Sequence, residues 1–424
     1  MKKKIIALLA ITMLMAGCKE TEEGYKMLPL STDEVSESIH EKTSTKALET
    51  LSKDVNQFSY RVYDGLEKGE NICISPYSII AALSMLDNGA NGNTKKEIEK
   101  VLGIEKITTQ NKALQHYADI QKQKNIKFYW ANSVWISDED LLEENSETEF
   151  FQPLQQFYNA DKHYQPLDTI ETMNQINEWV SKETKGMLDN LILEPLNPNT
   201  NVLLLNALYF QGEWVNSFTN EGEQMQFNGS KKVSMVPKMH LEDISLKYIT
   251  KYGLRGVEIP YNDDTFVMDV FLPEQKGENA ISIFHGMTQK EKKNLFLEFK
   301  KVEKQQMQKI IMPKFTTEYN VDSKLLIDIL KEMGIKDSFS SEKADFSKIS
   351  TSVSYYVNKI LHKTKIEVQE KGTKAAAVTS VMMANGAQAI AQEDLIFIID
   401  QPFLYTIRDI GTDMILFIGS VQDF

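Results

Sequence analysis

The amino-acid sequence predicts an α+β fold with one continuous core over residues 46–424. Helical periodicity dominates the first third of the chain, whereas apolar and β-branched segments dominate after Val202. Helices and strands that are segregated along a chain are typical of α+β proteins rather than of alternating α/β folds. No internal repeat and no linker-like stretch interrupts 46–424, so we expect a single large domain.

Apolar periodicity predicts three helices. The first marks the start of the folded domain, with apolar residues at three- and four-residue steps: Leu48, Leu51, Val55, Phe58 and Val62. The second begins at Pro76, which suits a first helical turn, and ends near Gly89. The third ends at Gly334, as glycine favours helix C-termini, and its apolar residues are Leu325, Leu326, Ile329, Leu330 and Met333.

Several apolar segments predict strands. Residues 128–136 and 202–210 are rich in aromatic, β-branched and other apolar residues and are expected to be buried. Residues 395–408 and 414–421 predict two further strands joined as a terminal hairpin. Residues 359–369 alternate between an apolar face with Ile360, Thr364, Ile366 and Val368 and a polar face, and His362 falls on the apolar one.

The N-terminus carries the features of an export signal. A basic start at 1–4 and an apolar run at 5–15 precede Ala16-Gly17-Cys18. This stretch resembles a bacterial lipoprotein signal, 1–17, cleaved before Cys18, which would then carry a lipid anchor. Residues 18–45 are poor in apolar side chains and predict a flexible tether. Lys19 followed by acidic residues resembles surface-export signals of the Bacteroidetes, which implies an outer-membrane or cell-surface location; plain secretion with an unmodified Cys18 is the alternative.

Composition excludes several function classes. The formal net charge of −13 argues against general nucleic-acid binding. No CxxC, CxxxC or HExxH motif occurs, so neither a zinc site nor haem nor any other cofactor is expected. Apart from Cys18 the chain has one cysteine, Cys73, which is expected to be a small buried apolar residue.

The segment 370–379 is the most informative part of the chain. It reads Glu-Lys-Gly-Thr-Lys-Ala-Ala-Ala-Val-Thr and directly follows the alternating run that ends at residue 369. Its side chains are small, and no proline occurs between Gly372 and Pro402. Such a sequence suits a backbone that is exposed in one state and forms a strand in another.

Together with five other motifs, this segment resembles the serpin family from about residue 46 onward. The motifs are Ser75-Pro76-Tyr77-Ser78-Ile79 with Gly89-Ala90-Asn91-Gly92-Asn93-Thr94, Asn206-Ala207-Leu208-Tyr209-Phe210-Gln211-Gly212-Glu213-Trp214, Met312-Pro313-Lys314-Phe315, Ala344-Asp345-Phe346-Ser347 and Asp400-Gln401-Pro402-Phe403. The resemblance implies helices packed on a large mixed or antiparallel main sheet, two smaller sheets, and an exposed reactive-centre loop at about 370–394.

The resemblance also assigns three groups of residues. Ser75, Ser78, Asn206 and His362 match the family's shutter, where Asn and Ser side chains are expected to satisfy a neutral, structural histidine. Trp214, Lys314 and Glu370 match the breach, where the loop first enters the main sheet. The hinge comprises Glu370, Gly372, Thr373, Lys374, Ala375, Ala376, Ala377, Val378 and Thr379. Most serpins have Glu at the position of Lys374, a departure that is mild where the side chain faces water.

The implied function is irreversible inhibition of serine proteases rather than catalysis. The protease would form a covalent acyl complex with the loop, and insertion of the loop into the main sheet would trap it. The chain is expected to be a monomer and to touch a membrane only through the lipid on Cys18. A non-inhibitory serpin is the main alternative. The sequence does not support a hydrolase function, because it contains no GxSxG motif.

The loop sequence limits which classes of protease could be the target. The family's spacing places the scissile bond after Gly386, within the candidate region Met382, Met383, Ala384, Asn385, Gly386 and Ala387, and the bond after Ala389 is a further candidate. No Lys or Arg occurs between Lys374 and Arg408, so a trypsin-like pocket would find no basic side chain to bind. Elastase-like proteases, or chymotrypsin-like ones at Met, are favoured, with subtilisin-like and papain-like proteases as alternatives.

Overall fold

The computed structural model describes residues 32–66, 69–122, 124, 126–137, 147–198, 200, 202–262, 265–373 and 395–424. Residues 44–424 form one compact unit. The predicted signal peptide, Cys18 and most of the predicted reactive-centre loop lie outside the described residues. Among the residues described, no helix is both long and apolar enough to cross a membrane.

The helices agree with the predicted apolar patterns and add others. They are α1 (Thr32–Gly65), α2 (Pro76–Gly89), α3 (Gly92–Leu102), α4 (Ile107–Lys122), α5 (Gln152–Tyr158), α6 (Ile170–Glu183), α7 (Ala280–Gly286), α8 (Gln289–Glu298) and α9 (Ser323–Met333). The side chain of Ser75 caps α2 by accepting from the backbone N–H of Ser78, and Gly334 ends α9 with φ +125°. Helix α1 starts well before Leu48, because polar residues such as Glu and Lys sustain a helix without an apolar stripe.

The strands follow the predicted order with one difference. They are β1 (Ile72–Ile74), β2 (Lys127–Ile136), β3 (Asp161–Tyr164), β4 (Val202–Glu213), β5 (Gln224–Asn228), β6 (Val233–Lys251), β7 (Leu254–Pro260), β8 (Phe266–Pro273), β9 (Lys304–Pro313), β10 (Phe315–Asn320), β11 (Lys363–Gln369), β12 (Gly372–Thr373), β13 (Ile396–Ile398), β14 (Phe403–Asp409) and β15 (Ile415–Val421). The prediction of one strand over 395–408 is wrong. Pro402, which has no N–H to donate, separates β13 from β14, and only β14 forms the hairpin with β15.

The main sheet has the strand order β10-β11-β12-β4-β2-β3. It is mixed, because β2 and β3 are parallel whereas the other neighbours are antiparallel. The remaining nine described strands form a second hydrogen-bonded network. In it, β6 pairs with β5 and β9 and, beyond Asp243 at φ +50°, also with β7. The predicted α+β class with a large mixed sheet is confirmed.

The expectation of one continuous core needs correction, because apolar residues form two clusters. The larger cluster includes α2 and the α2-facing side of β4. The smaller one lies under α6, where Ile176 and Trp179 are clustered with Trp135 of β2 and Leu203 and Leu205 of β4. Strand β4 is apolar on both faces because each face is covered, as in other fully buried strands.

Candidate functional site

The two-residue strand β12 lies between β11 and β4 in the main sheet. Gly372 and Thr373 pair antiparallel with Gln369 and Val368 on one side and with Glu213 and Gly212 on the other. The Thr373 side chain is fully buried, and its hydroxyl is 2.7 Å from the hydroxyl of Tyr261. The start of the hinge therefore already occupies ladder positions within the sheet.

Glycine is the only residue type that fits at position 372. Its φ is +151°, a region that L side chains rarely adopt. A Cβ there would also stand 2.6 Å from the Cα of Glu213, which belongs to the adjacent backbone of β4. Both the dihedral angle and the close approach of the two strands thus require glycine.

The predicted breach residues lie together at the same place. The Trp214 indole is buried, stacks on the Tyr261 ring at 4.4 Å between centroids, and donates from Nε1 to the carbonyl of Gln369 at 3.0 Å. The Trp214 backbone N–H donates to the carbonyl of Lys371 at 2.9 Å. One tryptophan thus anchors both ends of the turn between β11 and β12.

Glu370, in that turn, is held by three groups. Its Oε1 accepts from Asn220 at 2.7 Å and lies 2.9 Å from the Nζ of Lys314, and its carbonyl accepts from the N–H of Phe218 at 2.7 Å. Partial burial acts to raise the pKa of Glu370, but hydrogen bonds from its own backbone, Asn220 and Lys314 outweigh burial and lower the pKa below its ordinary value. An ion pair this exposed contributes ~0–1 kcal/mol.

The predicted shutter residues cluster beneath the main sheet in one hydrogen-bonded chain, in which the backbone N–H of Ser78 donates to Ser75 Oγ at 3.3 Å. Ser78 Oγ donates to Asn206 Oδ1, and Asn206 Nδ2 donates to Asn132 Oδ1 at 2.6 Å. Asn132 in turn donates to the carbonyl of Tyr158 at 2.7 Å. The chain ends at His362, which is hydrogen-bonded to Ser75.

His362 differs from the expectation that Ser and Asn side chains supply its partners. Its Nε2 accepts from the backbone N–H of Ser75 at 3.1 Å, and no hydrogen bond to Asn206 is found among the described residues. The expected contact is missing because β4 and β11 are not paired at this level of the sheet. Burial lowers the pKa of His362 to about 4, so the imidazole is neutral near pH 7.

Three residues that complete the site were not predicted. Asn132 sits opposite Asn206 in the β2–β4 register, and a polar amide inside an otherwise apolar strand is the signal that could have identified it. Tyr261 and Asn220 reach the hinge from distant parts of the chain. The sequence offers no comparable signal for either of them.

Between β4 and the residues that precede β11 there is a cleft. Within the described residues β4 and β11 share no ladder pairs and are joined only through β12. Residues 354–362 form no strand, and Asn358 Nδ2 lies 3.4 Å from the Thr200 hydroxyl. On the opposite side the cleft is lined by Thr200, Val202, Leu203, Leu204 and Asn206. We call this opening the sheet cleft. Its cavity volume is about 130 Å³.

The predicted residues of the outer loop lie outside the described residues. These are the remaining hinge residues, 374–379, and the candidate scissile region, 382–387. Cys73, by contrast, is fully buried on β1, as predicted. Burial raises the pKa of its thiol to about 11, so it is not a nucleophile near neutral pH.

Comparison with known proteins identifies the family of this fold and site. The family model Serpin (serine protease inhibitor) matches residues 53–424. The chain belongs to the serpin family. It is similar to glia-derived nexin from Rattus norvegicus, at 32% identity over 91% of this chain and 96% of the relative. Leukocyte elastase inhibitor from Xenopus tropicalis is 31% identical over 88% and 99%.

Solved structures give the same result. The thermophilic serpin tengpin in its native state superposes with a TM-score of 0.75 at 29% identity, covering 89% of this chain and 94% of tengpin. Serpins generally are protease inhibitors rather than enzymes, although not every serpin inhibits a protease.

Proposed function

We propose that this serpin is an irreversible suicide-substrate inhibitor of serine proteases. The observation that carries the proposal is β12, in which the first two residues after the turn already form an inserted strand between β11 and β4. Every later residue of the loop can extend this strand without changing its register. Insertion therefore needs propagation of an existing strand rather than nucleation of a new one.

The register predicts which side chains an inserted loop would bury. Thr373 points inward, so alternation directs Ala375, Ala377, Thr379, Val381 and Met383 inward as well. These residues are small or apolar, and none of them brings a charge into the core. Continuing the pairing places Thr379 opposite both Asn206 and His362, where its hydroxyl can contact both side chains.

The same register explains how Lys374 can be tolerated. Lys374 would lie on the outer face, opposite Glu367 on β11 and Gln211 on β4, because pairing advances by one residue from Thr373. Opposite charges that face each other across two strands contribute roughly 0.2–1 kcal/mol. We infer that the inserted strand gains an ion pair at the position where most serpins carry Glu.

The mechanism links cleavage to movement. The protease serine attacks the scissile carbonyl, the new C-terminal peptide leaves, and the loop remains bound to the protease as an ester. Insertion of ~15 residues at about 3.3 Å each would carry the protease on the order of 50 Å before water hydrolyses that ester. Strand insertion of this kind is the general behaviour of serpins and releases stored strain. The uncleaved form is accordingly a kinetically trapped state.

Elastase-like proteases are the favoured targets, with chymotrypsin-like ones at Met382 or Met383. The loop has no basic residue from 375 to 394, so trypsin-like proteases are disfavoured. The name of the relative leukocyte elastase inhibitor agrees with this choice. Non-inhibitory action is the second candidate, and the departure at Lys374 favours it. Subtilisin-like and papain-like proteases are the alternative targets of an inhibitor.

A denaturing gel tests the proposal. The mature chain is incubated with pancreatic elastase, and the released C-terminal peptide is weighed by mass spectrometry. An SDS-stable band near the summed masses, with a peptide starting within 383–390, is the expected result. Complete cleavage without that band by elastase, chymotrypsin and subtilisin would identify a substrate instead of an inhibitor.

We further propose that the protein is a monomer tethered to a bacterial surface by a lipid on Cys18. The basic and apolar signal ending in Ala16-Gly17-Cys18 supports this proposal. Labelled palmitate should enter the wild type and not the Cys18→Ala variant. Equal labelling of the two proteins would contradict the tether without affecting the inhibitor proposal.

A further inference from the structure

The sheet cleft has the composition of a site for an amphiphilic ligand. Its floor is the α2 helix, with Ile79, Leu83 and Leu86, and its walls are mostly apolar. The apolar wall residues are Val202, Leu203, Leu204, Phe346, Ile349 and Val357. The cavity volume is about 130 Å³. Such a space accepts a short acyl chain or a ring, as apolar cavities of similar enclosed size do.

Hydrogen-bonding groups gather at the shutter end of the cleft. His362, Asn206 and Ser78 all line it. Since His362 Nε2 accepts from the N–H of Ser75, the proton of the neutral ring is on Nδ1. No described residue accepts a hydrogen bond from that Nδ1. The cleft therefore offers one N–H donor, on a side chain that is 6% exposed, to a ligand oxygen.

The charge of the lining is unlike that of the rest of the protein. The chain as a whole has a formal net charge of −13. Yet the described residues that line the cleft include no Asp and no Glu, and they include one lysine, the exposed Lys359. No ion pair to Lys359 is found among the described residues. An anionic group at the mouth would meet an attractive charge and no opposing carboxylate.

We propose that the sheet cleft binds an amphiphilic monocarboxylate, such as a medium-chain fatty acid. The apolar chain lies against Leu83, Leu86 and Ile349. The carboxylate accepts from His362 Nδ1–H, while the ammonium group of Lys359 supplies the compensating charge from the mouth. The apolar area buried drives binding, and the paired donor and cation offset the cost of desolvating the carboxylate.

Binding has a consequence that rests on the proposed function. The cleft is the space that residues 379–383 would enter if β12 were extended along β4, since this register pairs Val381 with Leu204. A bound acyl chain would block the strand at that point. The inhibitor would then be cleaved without trapping the protease, so the ligand would act as a regulator.

Equilibrium dialysis with radiolabelled dodecanoate, below its micelle concentration, tests binding on the mature chain. Saturable binding at one molecule per chain is expected for the wild type. Lys359→Met should weaken it ~5-fold, the effect of an exposed ion pair, whereas the matched surface variant Lys276→Met should not. Dodecanol, which has no carboxylate, should bind equally weakly to wild type and Lys359→Met. Ala82→Trp, which fills the cleft from α2, should abolish binding.

The contrary results are equally specific. Absence of saturable dodecanoate binding would overturn the site. Equal dodecanoate affinity of Lys359→Met and Lys276→Met, together with equal affinity of the wild type for dodecanoate and dodecanol, would also overturn it.

Gel assays separate this proposal from the inhibitor proposal. Dodecanoate binding without any trapped protease, even in ligand-free samples, would leave the site standing and reject inhibition. Trapping without dodecanoate binding would reject only the site.

Discussion

The strip between β4 and β11 differs sharply between its two ends. At the breach end, Gly372 and Thr373 fill the strip with paired backbone, and Trp214 and Tyr261 stack beside them. At the shutter end no described strand lies between β4 and the residues that precede β11, and the strip is the sheet cleft. Among the residues that the structure describes, β12 therefore fills the strip at one end and no strand fills it at the other.

This difference shows how one sequence can be stable before insertion and still be able to accept an inserted strand. Buried strands are stable when their backbone groups are paired, and at the breach end Gly372 and Thr373 pair on both sides. The shutter end depends instead on side-chain bonds, such as Ser78 to Asn206, which an inserted strand can rearrange. The hinge sequence supplies small residues at the positions that would fill the empty end.

The largest expected effect comes from placing a charge on the inward face of the inserted strand. Ala377→Arg should abolish the SDS-stable complex while cleavage continues, because a buried and unpaired guanidinium costs several kcal/mol. The matched control is Ala376→Arg, whose side chain would face solvent. Equal loss of complex in both variants would show that the register extended from β12 is wrong.

Acidification should act on the shutter end. Because burial lowers the pKa of His362 to about 4, the unfolded chain binds a proton more readily than the native chain between about pH 6.5 and 4. The free energy of unfolding therefore has its full value above pH 6.5 and falls by roughly 3 kcal/mol as the pH drops through this range. Urea unfolding at several pH values should show the decline in wild type but much less in His362→Gln. Parallel curves for the two proteins would contradict a neutral, buried His362.

The breach end should be sensitive to the loss of one glycine. Gly372→Ala introduces a Cβ against β4 at φ +151° and should lower the free energy of unfolding by about 1–3 kcal/mol. Gly277→Ala is the matched control, since Gly277 also has a positive φ but has open space around its Cβ position. A similar loss in both variants would mean that φ alone, and not the close approach to Glu213, makes Gly372 necessary.

The smallest expected effect on stability concerns Lys374, on the solvent-facing side of the inserted strand. In the cleaved protein, a double-mutant cycle of Lys374→Ala and Glu367→Ala should give a coupling of roughly 0.2–1 kcal/mol in urea unfolding. The same cycle in the uncleaved protein should give none, because the pair forms only on insertion. Coupling that is already present before cleavage would show that Lys374 reaches Glu367 without loop movement.

Sequence reasoning was strongest where residues depend on their neighbours in the chain. Pro76 and Gly89 correctly marked the two ends of α2, and the alternation over 359–369 correctly placed His362 inside. Motif resemblance also brought Trp214, Lys314 and Glu370 to one location. The break at Pro402 could have been predicted, since proline rarely continues a strand.

Features that depend on contacts between distant segments were missed. Tyr261 reaches Thr373 only because β7 ends beside the breach, and nothing in its local sequence indicates this. The partner of His362 depends on whether β4 and β11 pair at the shutter, which no single strand pattern determines. The sheet cleft, for the same reason, is a property of the register between strands rather than of any segment.

Hydrogen exchange of the β4 backbone before and after loop cleavage tests the central claim most directly. Val202, Leu203, Leu204 and Asn206 line the sheet cleft within the segment 202–208, whereas Gly212 and Glu213 already pair with β12. We predict that cleavage slows exchange of the amides that face the cleft by at least ~100-fold and leaves Gly212 and Glu213 unchanged. Unchanged exchange over 202–208 in a fully cleaved sample would contradict insertion of the loop into the main sheet.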